Sequence, residues 1–137
     1  METLPKLHLV NPAKRELTVL IVDDEQDLRD VLKILLNRVC SRVLVASSAT
    51  EAMSILAVES VDLVISDIRM PKIDGIEFFS QLRGADKLSQ PKFIFVTGGV
   101  DLAPAQEVIF NKCDGHLPKP FQMEQITSAI NSLFPEP

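Results

Sequence analysis

Apolar and polar residues along this chain come in alternating kinds of block. Short, nearly continuous apolar runs, Val19-Leu20-Ile21-Val22, Val43-Leu44-Val45-Ala46, Leu63-Val64-Ile65-Ser66 and Phe93-Ile94-Phe95-Val96, read as strands covered on both faces. A fifth, briefer strand is predicted at Gly115-His116-Leu117-Pro118. Between these runs the period changes to that of a helix. Leu28, Val31, Leu32, Leu35 and Val39 form one stripe of a first helix. Ser48 followed by Glu51 is a capping box that starts a second helix at Ala49, with Ala49, Ala52, Met53, Leu56 and Ala57 inward. Ile76, Phe79 and Leu82 mark a third helix, and Met123, Ile126, Ile130 and Leu133 a fifth. The fourth is the least patterned: Pro104 suits only its first turn, and Val108-Ile109-Phe110 is short. Five strands alternating with helices predict an α/β fold, a doubly wound five-stranded parallel sheet with helices on both faces.

Length and composition narrow this further. The 137 residues, 46% hydrophobic and 24% charged, suit one globular domain with its own core. Residues 17–134 carry the repeat; residues 1–16 read as a flexible lead-in and 135–137 as a tail. With 14 basic against 19 acidic side chains the formal charge is −5, which disfavours nucleic acid and anionic lipid as partners. Neither a membrane span nor a secretory signal is visible, so a cytoplasmic protein is expected. Cys40 and Cys113 stand apart, without metal-ligand spacing, and read as free thiols.

Chemistry is expected where the strands end, because the carboxyl ends of all strands in an open parallel sheet share one edge. The residues there are Asp23 and Asp24, Asp67, Thr97 and Lys119. If strands 1 and 3 are neighbours, about 4.8 Å apart, three carboxylates meet. They stay ionised together only with a cation among them, and an all-oxygen set that keeps waters suits Mg²⁺. Taken singly, each residue has a plainer reading: Asp23 and Asp24 as helix N-caps, Lys119 as a solvated lysine, Thr97 as a turn residue. Their joint placement after successive strands argues against that reading.

Over residues 18–134 the chain resembles the receiver domain of two-component response regulators. The resemblance rests on Val22-Asp23-Asp24-Glu25, on Asp67-Ile68-Arg69-Met70-Pro71 with Asp74-Gly75 behind it, on Thr97-Gly98 and on Lys119-Pro120-Phe121. It implies the flavodoxin-like strand order 2-1-3-4-5. It also implies that Asp67 is the phosphoacceptor and a direct Mg²⁺ ligand, with Asp24 binding the metal directly, Asp23 through water, and Arg69 through its carbonyl. Lys119, Thr97 and the backbone N–H of Gly98 would serve the phosphoryl group, and the Lys119-Pro120 bond would be cis. Arg69 and Gly99, two residues beyond Asp67 and Thr97, would tune the lifetime of the acyl phosphate.

The implied protein is a switch rather than an enzyme acting on free substrate. A sensor histidine kinase or phosphotransfer protein would donate, and the face of helix 4, strand 5 and helix 5 would dock a downstream protein or a second copy in a phosphorylation-linked homodimer. A single-domain regulator and a receiver from a hybrid histidine kinase both fit, and a phosphorylation-independent pseudo-receiver scaffold is the alternative. A flavin-binding relative is disfavoured because Asp23-Asp24-Glu25 would repel a phosphate, and an aspartyl phosphatase because Asp67-Ile68-Arg69 lacks a second acid. His116 stands where the family usually carries Tyr or Phe whose rotamer follows Thr97. It is either a surface-facing ring tolerated there or a pH-sensitive switch element.

Overall fold

The computed structural model describes residues 14–135. Ten elements alternate along the chain: β1 (Arg15–Val22), α1 (Gln26–Leu36), β2 (Cys40–Ala46), α2 (Ala49–Val58), β3 (Leu63–Asp67), α3 (Gly75–Arg83), β4 (Lys92–Thr97), α4 (Pro104–Phe110), β5 (Gly115–Pro118) and α5 (Met123–Leu133). The strands form one sheet in the order β2-β1-β3-β4-β5, every pair parallel. The fold class and order expected from sequence are those observed.

Successive side chains of a strand point to opposite faces, so each central strand feeds two cores. Leu20, Val22, Val64, Phe93 and Phe95 pack with α2 and α3, and Ile109 and Phe110 of α4 close that side. Val19, Ile21, Leu63, Ile65, Ile94 and Val96 face the other way, onto Leu32 and Leu36 of α1 and Ile126 and Ile130 of α5. The first side is aromatic: Phe79 stacks edge-on to Phe93 at 4.8 Å, Phe93 lies 4.9 Å from Phe95, and Phe110 stacks on Phe95 at 5.3 Å.

Local details differ from the sequence reading where the chain's ends and turns intervene. β1 begins at Arg15, inside the stretch assigned to the lead-in, because the Arg15 N–H donates to the Val39 carbonyl at 2.8 Å and its side chain donates to Asn131 and the Phe134 carbonyl. Residues 1–13, and 136–137 of the tail, lie outside the described residues. In α1 the buried residues are Leu32 and Leu36, while Val31 is exposed. The helix ends at Leu36, so Val39 is not part of its stripe and the inward direction is set by the Leu32–Leu36 pair. Ala57 of α2 is likewise exposed. Ser48 caps α2 by accepting from the Glu51 N–H at 3.1 Å, but Glu51 reaches past it to the Ser47 N–H and hydroxyl, at 2.6 and 2.9 Å. Pro104 occupies the first turn of α4, as expected.

Candidate functional site

The sheet reverses direction of growth at β1 and β3, where a crevice opens beyond the strand ends. Val22 lies opposite Ser66, so the residues that follow, Asp23 and Asp67, come level with each other. Asp67 in turn lies opposite Val96, and Thr97 opposite Pro118. The register thus brings the ends of β1, β3, β4 and β5 to one place.

Asp67 and Asp23 are both buried, with 6% and 3% of their surface exposed. Two carboxylates in that setting need positive charge, and Lys119 supplies it. Its Nζ lies 2.8 Å from Asp67 Oδ2, 3.5 Å from Glu25 Oε1 and 3.7 Å from Asp23 Oδ2. Carboxylate oxygens of Asp23, Glu25 and Asp67 lie within 4.8 Å of one another, a group that could hold a metal ion. Burial pushes the Asp23 carboxyl above its ordinary pKa and the neighbouring Asp67 charge adds to this, against a backbone N–H from Glu25 that favours the ionised form. For Lys119, burial acts to lower the pKa; the hydrogen bond to Asp67 and the charges of Asp23, Asp67 and Glu25 outweigh it and raise it.

The loops that hold these groups are tightly specified. Gly75 N–H donates to the Ile68 carbonyl at 2.6 Å, and a β-carbon on Gly75 would fall 2.1 Å from the Asp67 carbonyl oxygen. Glycine is required there. The Asp67 carbonyl also accepts from the Ser66 hydroxyl at 2.9 Å, and Asp74 caps α3 through the Glu77 N–H at 2.8 Å. Across the turn, the Ile73 N–H donates to the Pro71 carbonyl at 2.8 Å around Lys72, which has φ 71°. Lys119 is anchored by its own N–H, which donates to the Thr97 carbonyl at 2.8 Å, and the Lys119-Pro120 bond is cis.

The expected site residues are not all placed alike. Asp24, Asp67, Arg69, Gly98 and Lys119 line a cleft of about 350 Å³, together with Glu25 and Val100. Asp24, expected as a direct ligand, is exposed on its rim and stands outside the close carboxylate group, where Glu25 is found instead. Arg69 is exposed on the rim too. Gly98 does line the cleft, but a β-carbon there would make ordinary contacts of 3.5 and 3.6 Å with Lys119, so this neighbour does not demand glycine. Gly99 does adopt φ +71°, a left-handed conformation that favours glycine, in open space. Thr97 borders the adjoining cavity of about 450 Å³, with Gly99, Phe110 and His116. The His116 ring is exposed and lies 5.4 Å from Phe110.

Two residues were missed. Arg29 of α1 donates to the Asp23 carbonyl at 2.7 Å and so braces the acidic loop; it lies on the helix, and nothing in its spacing marks it. Glu25 was visible only as a neighbour of the acidic pair. The donor set of Asp23, Glu25 and Asp67 is all oxygen, partly buried and net negative even with Lys119 present, which fits a hard divalent ion such as Mg²⁺.

Comparison with known proteins identifies the family. The sequence pattern of the response regulator receiver domain matches residues 19–131, and the chain belongs to that family. It is 32% identical over 120 residues to a probable chemotaxis protein CheY of Rhizobium etli, covering 87% of this chain and 93% of that protein. It is also 32% identical over 120 residues to a probable transcriptional regulator ycf27 of Cyanidium caldarium, covering 88% of this chain but only 47% of the relative. The chain thus spans about half the length of some relatives that it matches. Among solved structures, the signal receiver domain of an HD domain-containing protein from Pseudomonas fluorescens superposes with a TM-score of 0.77 at 27% identity, covering 86% of this chain and 94% of that one. Among the described residues, no helix is long and apolar enough to cross a membrane.

Proposed function

We propose that this receiver domain is a phosphorylation switch whose acceptor is Asp67, loaded from a phosphohistidine on a sensor histidine kinase or phosphotransfer protein. The observation that supports it most is the 2.8 Å contact between Lys119 Nζ and a buried Asp67 carboxylate at the switch point of the sheet. A carboxylate oxygen of Asp67 attacks phosphorus as the P–N bond breaks, and the electron pair stays on the imidazole nitrogen, which is then protonated. Transfer of this kind needs in-line placement and neutralised oxygens more than covalent help.

Each residue has a part in that. Mg²⁺, held by Asp67 with Asp23, Asp24 and the Arg69 carbonyl around it, would neutralise phosphoryl charge. Lys119 supplies a compact ammonium already on the acceptor oxygen. Thr97 and the Gly98 N–H donate to the phosphoryl oxygens, while Arg69 and Gly99 border the path of the hydrolytic water. The added charge of about −1.5 to −2 draws Thr97 toward the site and reshapes the loop before α4. The α4–β5–α5 face then meets a downstream protein or a second copy. Hydrolysis of its own acyl phosphate resets the switch.

The test is incubation with Mg²⁺ and a small acyl phosphate donor, read by intact mass because the chain has no Trp to quench. One phosphoryl group is expected, absent in Asp67→Asn and when the divalent ion is chelated. No labelling of the wild type would leave the phosphorylation-independent scaffold as the reading.

A further inference from the structure

Glu25 occupies the N-cap of α1, yet its side chain makes no capping hydrogen bond. Short oxygen-bearing side chains serve that position because they reach the first free amides of the helix, and Glu is poorly suited to it. Its carboxylate goes elsewhere, to within 3.5 Å of Lys119 Nζ. The start of the helix is braced without it, through Asp23 Oδ1, which accepts from the Glu25 N–H at 2.9 Å, and through Arg29 on the Asp23 carbonyl. A departure from local helix chemistry of this kind marks a side chain committed to another task.

The ammonium of Lys119 has three N–H donors and faces three carboxylates. Two of these, Asp67 and Asp23, are buried, with side chains 8% and 4% exposed; Glu25 is 62% exposed and is the one of the three with room to follow a moving partner. A divalent ion seated on Asp23 and Asp67 takes up the oxygens that now hold Lys119. An ammonium only 22% exposed would then lose its charge partners, at a cost in desolvation.

We infer that Glu25 is a positioning residue: it holds the Lys119 ammonium while Asp23 and Asp67 bind the cation, and so strengthens cation binding without itself being a ligand. The inference rests on the reading that Asp23 and Asp67 take Mg²⁺, but needs no phosphorylation. Titration of the full chain with Mg²⁺ alone, followed by amide NMR shifts, tests it. Glu25→Gln should weaken binding about three- to fivefold, the scale of one partly exposed ion pair. Glu25→Asp keeps the charge but loses the reach and gains a good cap, so it should weaken binding as much while raising the melting temperature. In a Lys119→Met background Glu25→Gln should have no further effect.

Wild-type affinity in Glu25→Asp, or a Glu25→Gln effect that persists without Lys119, would overturn the inference in favour of a direct ligand or a simple field. Unchanged binding in Glu25→Gln alone would overturn it too, leaving the metal site standing. If the wild type takes up no Mg²⁺, the site reading fails and this inference with it.

Discussion

Gly75 lies against the backbone of Asp67 so closely that a β-carbon on it would sit 2.1 Å from the Asp67 carbonyl oxygen and 2.9 Å from Ile68 Cα. The atoms it would strike are backbone, which cannot rotate away. The first turn of α3 therefore sets the position of the end of β3, and Asp67 depends on a residue eight positions later that carries no functional group. Gly75→Ala is expected to cost about 3 kcal/mol of stability, measured by urea unfolding with far-UV circular dichroism, since the chain lacks Trp and Tyr. Stability within about 0.5 kcal/mol of wild type would show that the loop can give way.

Asp23 is buried and its carboxyl pKa is raised, chiefly by that burial. An acid whose folded pKa lies above its unfolded one costs stability progressively as pH rises from the unfolded value to the folded one, the cost being complete above the folded value and absent below both. Asp23→Asn, free of divalent ions, should therefore be more stable than wild type at pH 7. The gain should vanish as pH falls below about 4. Melting curves in a chelator at both pH values decide this, and a variant less stable at pH 7 would refute it.

Arg83 joins three segments at the opposite end of the sheet. Its guanidinium donates to Gln90 and the Pro91 carbonyl, both at 2.9 Å, and to Asp114 at 3.2 Å, while lying 4.9 Å over the Phe79 ring. Asp114 in turn accepts from the Phe93 N–H at 2.8 Å. Because a planar fork serves these partners together, Arg83→Lys should lose about 1–2 kcal/mol, and Asp114→Ala about 1–3 kcal/mol by stranding the Phe93 amide. Asp114→Asn should recover part of the loss. Equal stability of all three by urea denaturation would remove this network from the account.

At α2, Ser48→Ala should cost about 1 kcal/mol at any pH by removing the cap. Glu51 behaves differently. Hydrogen bonds from the Ser47 N–H and hydroxyl hold its carboxyl below the ordinary glutamate value. Its contribution is complete above the unfolded pKa and is lost as pH falls through the folded one. Glu51→Gln should be less stable than wild type at neutral pH, by less than about 1 kcal/mol for so exposed a group. The gap should close on acidification below about pH 4; one that does not close would mean that packing, not charge, is lost.

Hydrophobic patterning alone determined the alternation of strands and helices, the two-sided burial of the sheet, and the position of Asp23, Asp67, Thr97 and Lys119 just after successive strands; the strand order that makes β1 and β3 neighbours came from the family resemblance and is observed in the fold. A fully buried strand has to be apolar along its length, and polar residues are tolerated only where it stops, so the positions of β1, β3 and β4 and of the groups following them are legible. What the pattern did not determine is which way a side chain turns once it leaves the regular element. Val31 and Leu36 exchanged inside and outside because helix α1 ends before Val39. Asp24 stands apart from the Asp23–Asp67 pair while the exposed Glu25 reaches Lys119 for a similar reason, because they follow the strand and the route of the chain into α1 aims them. That route, like the seating of Gly75 on Asp67 and the reach of Arg29 back to Asp23, is set by contacts between residues far apart along the chain or across a turn, where no periodicity operates. Only the tertiary structure brings those groups within ångströms and so decides which carboxylates the ammonium meets.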